Sequence, residues 1–293
     1  MPRLDLVYNA HSGSFREDRL GALVEAFEEQ GFTVTALETQ ADGVRLTGTA
    51  ELICVHGGDG TLRDTIKAMI ARGFDTPLCI ARSGTINLVA RELGYPSDPT
   101  SLAAMVARGW ASGGSSWVSS PLFMMGEMPI ASCLSLGPDS HAVARVSGVL
   151  KKRIGRLAYV MAMLGLLLDW PRRSIRLSGE MAGGELFTIE AEAAFVARGA
   201  FYAGPFRLSP GASLASEAVE LVTLRRANRL RVLMFALAVM LRWPVNRFGI
   251  AEIRTVSRVG GESGRVPIQV DGDLVQANSL AIAPSGQSIR YVV

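Results

Sequence analysis

Gly57-Gly58-Asp59-Gly60-Thr61 is the segment of this chain best suited to chemistry. Consecutive glycines let backbone N–H groups approach an anion closely, and a helix starting there adds its positive end. A carboxylate in such a loop is ill suited to holding phosphate by itself. It becomes useful if a Mg²⁺ ion bridges Asp59 and the phosphates. The plainer alternative is a tight turn in which Asp59 caps the helix. Five such residues at a strand-to-helix junction favour the phosphate reading. Arg82-Ser83-Gly84-Thr85-Ile86-Asn87 has the same placement after another strand. Ala10-His11-Ser12-Gly13-Ser14 follows the first strand, and Thr39 ends the second. Each alone is ordinary loop composition. Together they fall on one edge of a sheet, at the carboxyl ends of parallel strands, where such sheets bind ligands.

The elements that must position these loops follow from periodicity. Strands are expected at Leu4–Asn9, Phe32–Thr39, Glu51–Val55 and Pro77–Ala81. Helices are expected at Glu17–Gln30, Leu62–Arg72 and Thr85–Leu93, stopped by Gly31, Gly73 and Gly94. This alternation implies an α/β domain with a mostly parallel sheet. Ala111–Ser116, rich in Gly and Ser, reads as a linker. Beyond it strand-like segments dominate: Trp117–Met125, Met128–Leu136, Ser174–Ser178, Glu185–Ala197, Val219–Arg225, Ile253–Val259 and Val266–Val270. Two apolar helices interrupt them, at about Arg156–Asp169 and Asn228–Arg242. The second half is therefore expected to be a mainly antiparallel β-sandwich. The domains are set at 1–112 and 113–283, with the tail of about 284–293 able to return to the first.

Composition narrows the class. The 293 residues are 48% apolar and 19% charged, which supplies ample core and excludes disorder, collagen and disulfide scaffolds. A net charge of +3 is too even for a nucleic-acid coat, so no nucleic-acid partner is expected. Cys54, Cys79 and Cys133 are odd in number and set in apolar stretches, as reduced thiols of a cytoplasmic protein would be. No apolar run reaches the length of about 18 residues that a bilayer span needs. A Gly-x-x-x-x-Gly-Lys-Ser/Thr P-loop and a Gly-x-Ser-x-Gly elbow are both lacking, and His11, His56 and His141 have no zinc-ligand spacing.

The chain resembles the diacylglycerol kinase catalytic-domain family, bacterial lipid kinases related to sphingosine and ceramide kinases. Gly57–Thr61 is identical to the family's Gly-Gly-Asp-Gly-Thr, a motif shared with NAD kinases of the same fold. Asn9-Ala10-His11-Ser12-Gly13 resembles its Asn-Pro-x-Ser-Gly, and Gly84–Arg91 fits its Gly-Thr-x-Asn-x-x-Ala-Arg. Gly155–Tyr159 resembles a Gly-x-x-Ala-Tyr helix opening, and Asp271-Gly272-Asp273 a late Asp-Gly-Glu. The resemblance implies ATP and Mg²⁺ held by Asn9, Ser12, Thr39, Gly57, Gly58, Asp59, Gly60, Thr61, Gly84 and Thr85, with Asp59 toward the metal. It implies that Asp273 stands where the family has the glutamate that deprotonates the lipid hydroxyl, with Asp271 as the other carboxylate candidate. An ordinary Asp-Gly turn is the alternative for that pair.

The chain departs from the family at several points. Pro210-Gly211-Ala212 is followed by Ala215-Ser216-Glu217 and Glu220, without the first carboxylates of a structural Mg²⁺ site. Ala203-Gly204-Pro205 replaces a Gly-Gly-Gly, and Arg63 replaces a common Asn. The expected function is an ATP-dependent lipid kinase; the alternatives are an NAD kinase or an inactive nucleotide- or lipid-binding homologue. A homodimer is compatible with the sequence. The mean hydropathy of +0.25 is high for an enzyme without a spanning helix. Trp170 with Arg172 and Arg173, and Trp243 with Arg242 and Arg247, close the two apolar helices. Peripheral docking on the inner face of the membrane through them is expected, against the alternative that both are core.

Overall fold

The computed structural model of the chain describes residues 1–12, 15–84, 86–145, 165, 170, 172–263, 266–277 and 279–293. It divides into two compact units, Met1–Leu122 with Gly286–Val293, and Phe123–Ser285.

The first unit is built on four parallel strands, β1 (Arg3–Tyr8), β2 (Thr33–Glu38), β3 (Leu52–Gly57) and β4 (Leu78–Arg82). Their order is β4-β3-β1-β2, so β1 and β3 are central. Every residue of β3 is buried, as a strand covered on both faces must be. Four helices connect and cover the sheet: α1 (Glu17–Glu29), α2 (Asp59–Arg72), α3 (Leu88–Glu92) and α4 (Pro99–Ala111). Gly73, at φ +66°, ends α2 in the left-handed conformation expected of a C-cap glycine. The alignment Leu6↔Cys54 and Val55↔Ile80 sets the carboxyl ends of β1, β3 and β4 on one edge.

The 111–116 stretch is not a linker between the units. It lies within the first unit, as the turn that ends α4. Ser112 Oγ donates to the Gly109 carbonyl at 2.7 Å, and Ser116 Oγ to that of Val293 at 3.3 Å. Polar, glycine-rich composition marks a tight turn as readily as a hinge. The 286–293 segment completes this unit: Tyr291 pairs parallel with Leu78, and the buried Tyr95 hydroxyl donates to the Val292 carbonyl at 2.6 Å.

The strands of the second half are β5 (Val118–Met125), β6 (Met128–Ile130), β7 (Cys133–Leu136), β8 (Ile175–Met181), β9 (Leu186–Ala191), β10 (Ala193–Ala197), β11 (Phe201–Tyr202), β12 (Phe206–Arg207), β13 (Val219–Leu224), β14 (Glu252–Glu262), β15 (Ile268–Val270), β16 (Asp273–Val275) and β17 (Ser279–Tyr291). The helices are α5 (Pro138–Arg145) and α6 (Arg229–Met240). β16, β15, β7, β10, β13 and β14 pair antiparallel in that order, and β8 joins β14 to β9. The mainly antiparallel β architecture expected here is thus present. Alternation along the strands makes two cores. Leu134, Leu136, Val196, Leu221 and Val256 face one, whereas Phe195, Val222 and Leu224 face the other with Phe235, Ala238 and Val239 of α6. The expected Arg156–Asp169 helix and the Gly155–Tyr159 motif lie, Gly165 apart, outside the described residues.

Candidate active site

In the first unit the glycine motif runs from Gly57, the last residue of β3, through Gly58 into the first turn of α2, the strand-to-helix junction expected from the sequence. Gly58 is the N-cap, with φ −94° and ψ −175°, and it has no side chain to offer the first-turn N–H groups. A helix start of this kind is where an anion is readily bound. Thr61 is buried over Gly57 so closely that a Cβ on Gly57 would lie 2.5 Å from the threonine Cβ.

The second motif packs directly against the first. A Cβ on Gly84 would lie 2.6 Å from Gly58 Cα and 2.8 Å from Asn87 Oδ1. Asn87 takes φ +52° and clasps the turn, its Oδ1 accepting from Gly84 N at 2.8 Å and its amide donating to the Gly84 carbonyl at 2.5 Å. This turn is why the expected Thr85–Leu93 helix is only the five residues of α3. Ser83 N donates to the Gly57 carbonyl at 3.3 Å. The two glycine loops therefore form one backbone cradle.

Asp59 ties that cradle together. Its Oδ2 accepts from Leu88 N at 2.9 Å and its Oδ1 from Val89 N at 3.1 Å. The carboxylate caps α3, which begins 29 residues later, rather than its own helix. The expectation that it faces a metal is therefore narrowed. Among the described residues no three His, Cys, Asp or Glu side chains gather as a metal cage. That donor set suits Mg²⁺ arriving with phosphates, which needs only one or two carboxylates.

The remaining expected residues of this unit stand around the same edge. Asn9 lies just past β1, and its Oδ1 accepts from His11 N at 2.8 Å. Ser12 Oγ donates to the Ser83 carbonyl at 3.3 Å, joining the first loop to the last. Thr39 N donates to the Tyr8 carbonyl at 2.9 Å, just past β2. Thr85 lies outside the described residues. Sequence reasoning passed over two arginines here. Arg82 closes β4 and Arg91 lies on α3; burial first, and the nearby Arg91 charge second, lower the Arg82 guanidinium from its usual value. The Nε of each, and Ser83 Oγ, are buried without a hydrogen-bond partner. Two crowded cations beside the first turn of α2 describe a place for a polyanion. His56, at the end of β3, packs against Phe15 with ring centroids 6.2 Å apart. Burial, with the Arg19 charge in support, pushes it down to about 4, so it is neutral at pH 7.

Gly84→Ala is expected to force the two loops apart and to cost roughly 10- to 100-fold in nucleotide affinity, the size of an overpacking penalty of about 1–3 kcal/mol. Calorimetric titration with a non-hydrolysable ATP analogue measures it, and an unchanged affinity would refute the cradle.

In the second unit Asp271 and Asp273 part company. Asp271 is buried at φ +52°, and its Oδ1 accepts from Ser132 N (2.7 Å), Ser132 Oγ (2.7 Å) and Cys133 N (3.1 Å). Its Oδ2 accepts from Ala131 N at 2.9 Å. Burial raises this carboxyl above its usual range while the four donors pull it back. Asp271 is thus a structural anchor for the turn and not a second candidate for the chemistry. Asp273 opens β16 and is exposed. Glu220 accepts from Thr255 Oγ1 at 2.8 Å and from Ser209 Oγ at 3.5 Å.

Residues 3–114 match the family model of the diacylglycerol kinase catalytic domain. The chain is 25% identical to a diacylglycerol kinase of Bacillus subtilis over 240 residues, covering 78% of this chain and 75% of that one. It is 29% identical over 129 residues to a Pseudomonas putida protein named "Probable lipid kinase YegS-like", covering 43% of this chain and 41% of that one. The crystal structure of a diacylglycerol kinase from Bacillus anthracis superposes with a TM-score of 0.72, over 99% of this chain and 96% of that one, at 14% identity. That last likeness shows a shared fold over almost the whole length. The similarity to the diacylglycerol kinase catalytic domain thus centres on residues 3–114, where the paired glycine loops and their Asp59 tie reside.

Proposed function

We propose that this protein is an ATP-dependent lipid kinase that moves the γ-phosphoryl group of ATP to a hydroxyl of a lipid such as diacylglycerol or a sphingoid lipid. The observation that carries this reading is the cradle in which Gly58 and Gly84 meet and Asp59 locks α2 to α3. Phosphoryl transfer is mostly positioning and charge neutralisation, which backbone N–H groups and guanidinium ions supply. The first-turn N–H groups of α2 would bind the phosphates, and Arg82 and Arg91 would add positive charge. Mg²⁺, held by Asp59 and the phosphates, would neutralise charge developing on the nucleotide.

Asp273 is the proposed base for the acceptor hydroxyl, one methylene shorter than the family's glutamate. Asp273→Asn is expected to lower turnover by about 10²–10⁴-fold with little change in nucleotide affinity, as a group needed only in the transition state should. Asp273→Glu should retain activity. An undiminished rate in the Asn variant would remove Asp273 from the mechanism. The reading as a whole is tested with radiolabelled ATP and a panel of acceptors in mixed micelles: diacylglycerol, sphingoid base, ceramide and phosphatidylglycerol, with NAD added. Label in a lipid supports it. Label in NAD alone, or nucleotide binding without turnover, overturns it.

A further inference from the structure

Among the described residues, eleven large apolar side chains are exposed, and eight of them lie between Leu230 and Phe248. They are not scattered. Leu230, Leu233, Met234, Leu237, Met240 and Leu241 recur at helical spacing on one side of α6. Phe235, Ala238 and Val239, on the opposite side, are buried in the second core. The helix therefore has two apolar faces, only one of which is covered by its own sheet.

The turn that follows extends the uncovered face. Val245 and Ile250 are buried and pin it down, while Trp243 and Phe248 remain 53% and 64% exposed with ring centroids 6.1 Å apart. The charge around this face is mostly positive. From residue 221 to 251 there are six arginines and no Asp or Glu, in a chain whose net charge is only +3, and of the six Arg225, ahead of α6, is paired with Glu252 at 2.6 Å. Without those six, 24 basic residues would face 27 acidic ones. Arg242 and Arg247, with Arg207, line a cleft of about 540 Å³ beside Trp243; its one carboxylate, Glu220, is engaged by Thr255.

The geometry points to the outer face of α6 and its following turn as a docking surface for an anionic bilayer. The leucines, methionines, Trp243 and Phe248 enter the boundary between headgroups and acyl chains, and Arg242 and Arg247 bind headgroup phosphate. An interfacial helix of this kind needs an apolar face, an aromatic at the headgroup level and arginines at the rim, and all three are present. A protein partner would call for charge of both signs at the rim; a surface of uniform negative charge fits arginines alone. The other aromatic-arginine station named from sequence does not take part in this way. Trp170 Nε1 donates to the Ala227 carbonyl at 2.6 Å, and Arg172 is paired with Glu192 at 2.6 Å.

Co-sedimentation of the full chain with vesicles tests the proposal, without ATP, so that it stands or falls apart from the kinase reading. Vesicles of phosphatidylcholine with about a third phosphatidylglycerol should bind, pure phosphatidylcholine should not, and high salt should release the protein. Arg242→Gln with Arg247→Gln should weaken binding by roughly 5-fold per arginine, about 25-fold together. Leu233→Glu with Leu237→Glu should abolish it, and because both side chains are exposed their melting temperature should stay near that of the parent. Equal binding to neutral and anionic vesicles, or unchanged binding by both variants, would overturn the proposal. So would a concentration-dependent dimer in sedimentation velocity that the double Glu variant breaks while the parent ignores vesicles. That result would assign the face to a second copy of the chain.

Discussion

Replacing Asp59 by alanine is expected to abolish phosphoryl transfer while leaving most of the protein folded. The side chain ties the two glycine motifs together through Leu88 N and Val89 N at the start of α3, beside the Ser83 N to Gly57 carbonyl bond. Its loss uncovers two buried backbone donors, at a cost of about 1–3 kcal/mol each before relaxation. It also frees α3 to rotate away from α2, and the phosphate cradle opens with it. Asp59→Asn is the sharper probe. Its amide retains one acceptor oxygen but turns an NH₂ toward a backbone N–H, so one contact becomes a repulsion. Both variants should lose at least about 10³-fold in turnover, the scale on which misplaced positioning groups are felt. Thermal melts and turnover with a lipid acceptor separate the two effects. Wild-type turnover in either variant would show that the tie is dispensable.

The largest loss of stability from a single carboxylate should come from Asp271→Ala. Four donors, Ala131 N, Ser132 N, Ser132 Oγ and Cys133 N, would be left buried without their acceptor. Removing one side of such a buried charged network costs on the order of 3–5 kcal/mol. For a unit of this size that is a fall of roughly 10 °C in Tm. Activity should fall too, because the Asp271-Gly272 turn leads directly into Asp273 on β16. The contrast with Asp273→Asn is the point of the experiment. One variant should lose the fold and the rate together, the other the rate alone. Calorimetry on both proteins distinguishes them, and a Tm for Asp271→Ala within about 2 °C of the parent would contradict the anchoring role.

The parts of this architecture written in local signals were legible from the residues. Gly31, Gly73 and Gly94 stop chains of helical period, alternation with β-branched residues marks β2, and short, largely apolar runs mark β1, β3 and β4. The rest was hidden by distance in the chain. Asp59 looks like an N-cap of its own helix, and only the folded chain brings Leu88 and Val89 to it. Met128–Leu136 reads as one strand, but it breaks at Ala131-Ser132, where the backbone turns its N–H groups to Asp271, about 140 residues away. Pro284-Ser285-Gly286 spells a turn, yet it lies inside the 13-residue β17. The helix α4 was overlooked although its start is well marked. Asp98 Oδ2 accepts from Ser101 N at 2.8 Å, and Pro99 occupies the first turn. For α6 the sequence offered two alternatives, core or membrane face. The helix has one apolar side buried and the other exposed, a division that an all-round apolar sequence does not reveal.

The return of residues 286–293 to the first unit has a consequence for how the protein is made. Translation delivers Leu122 long before it delivers Gly286, and the 163 intervening positions take about 8–33 s at 5–20 residues per second. During that interval β4 has no partner on one side, since Tyr291 and the Val292 amide have yet to be synthesised. The Tyr95 hydroxyl likewise waits for the Val292 carbonyl. A nascent chain with an apolar strand edge exposed for that long is a natural client of a chaperone. The first unit, though its synthesis begins first, is therefore the one that is completed last.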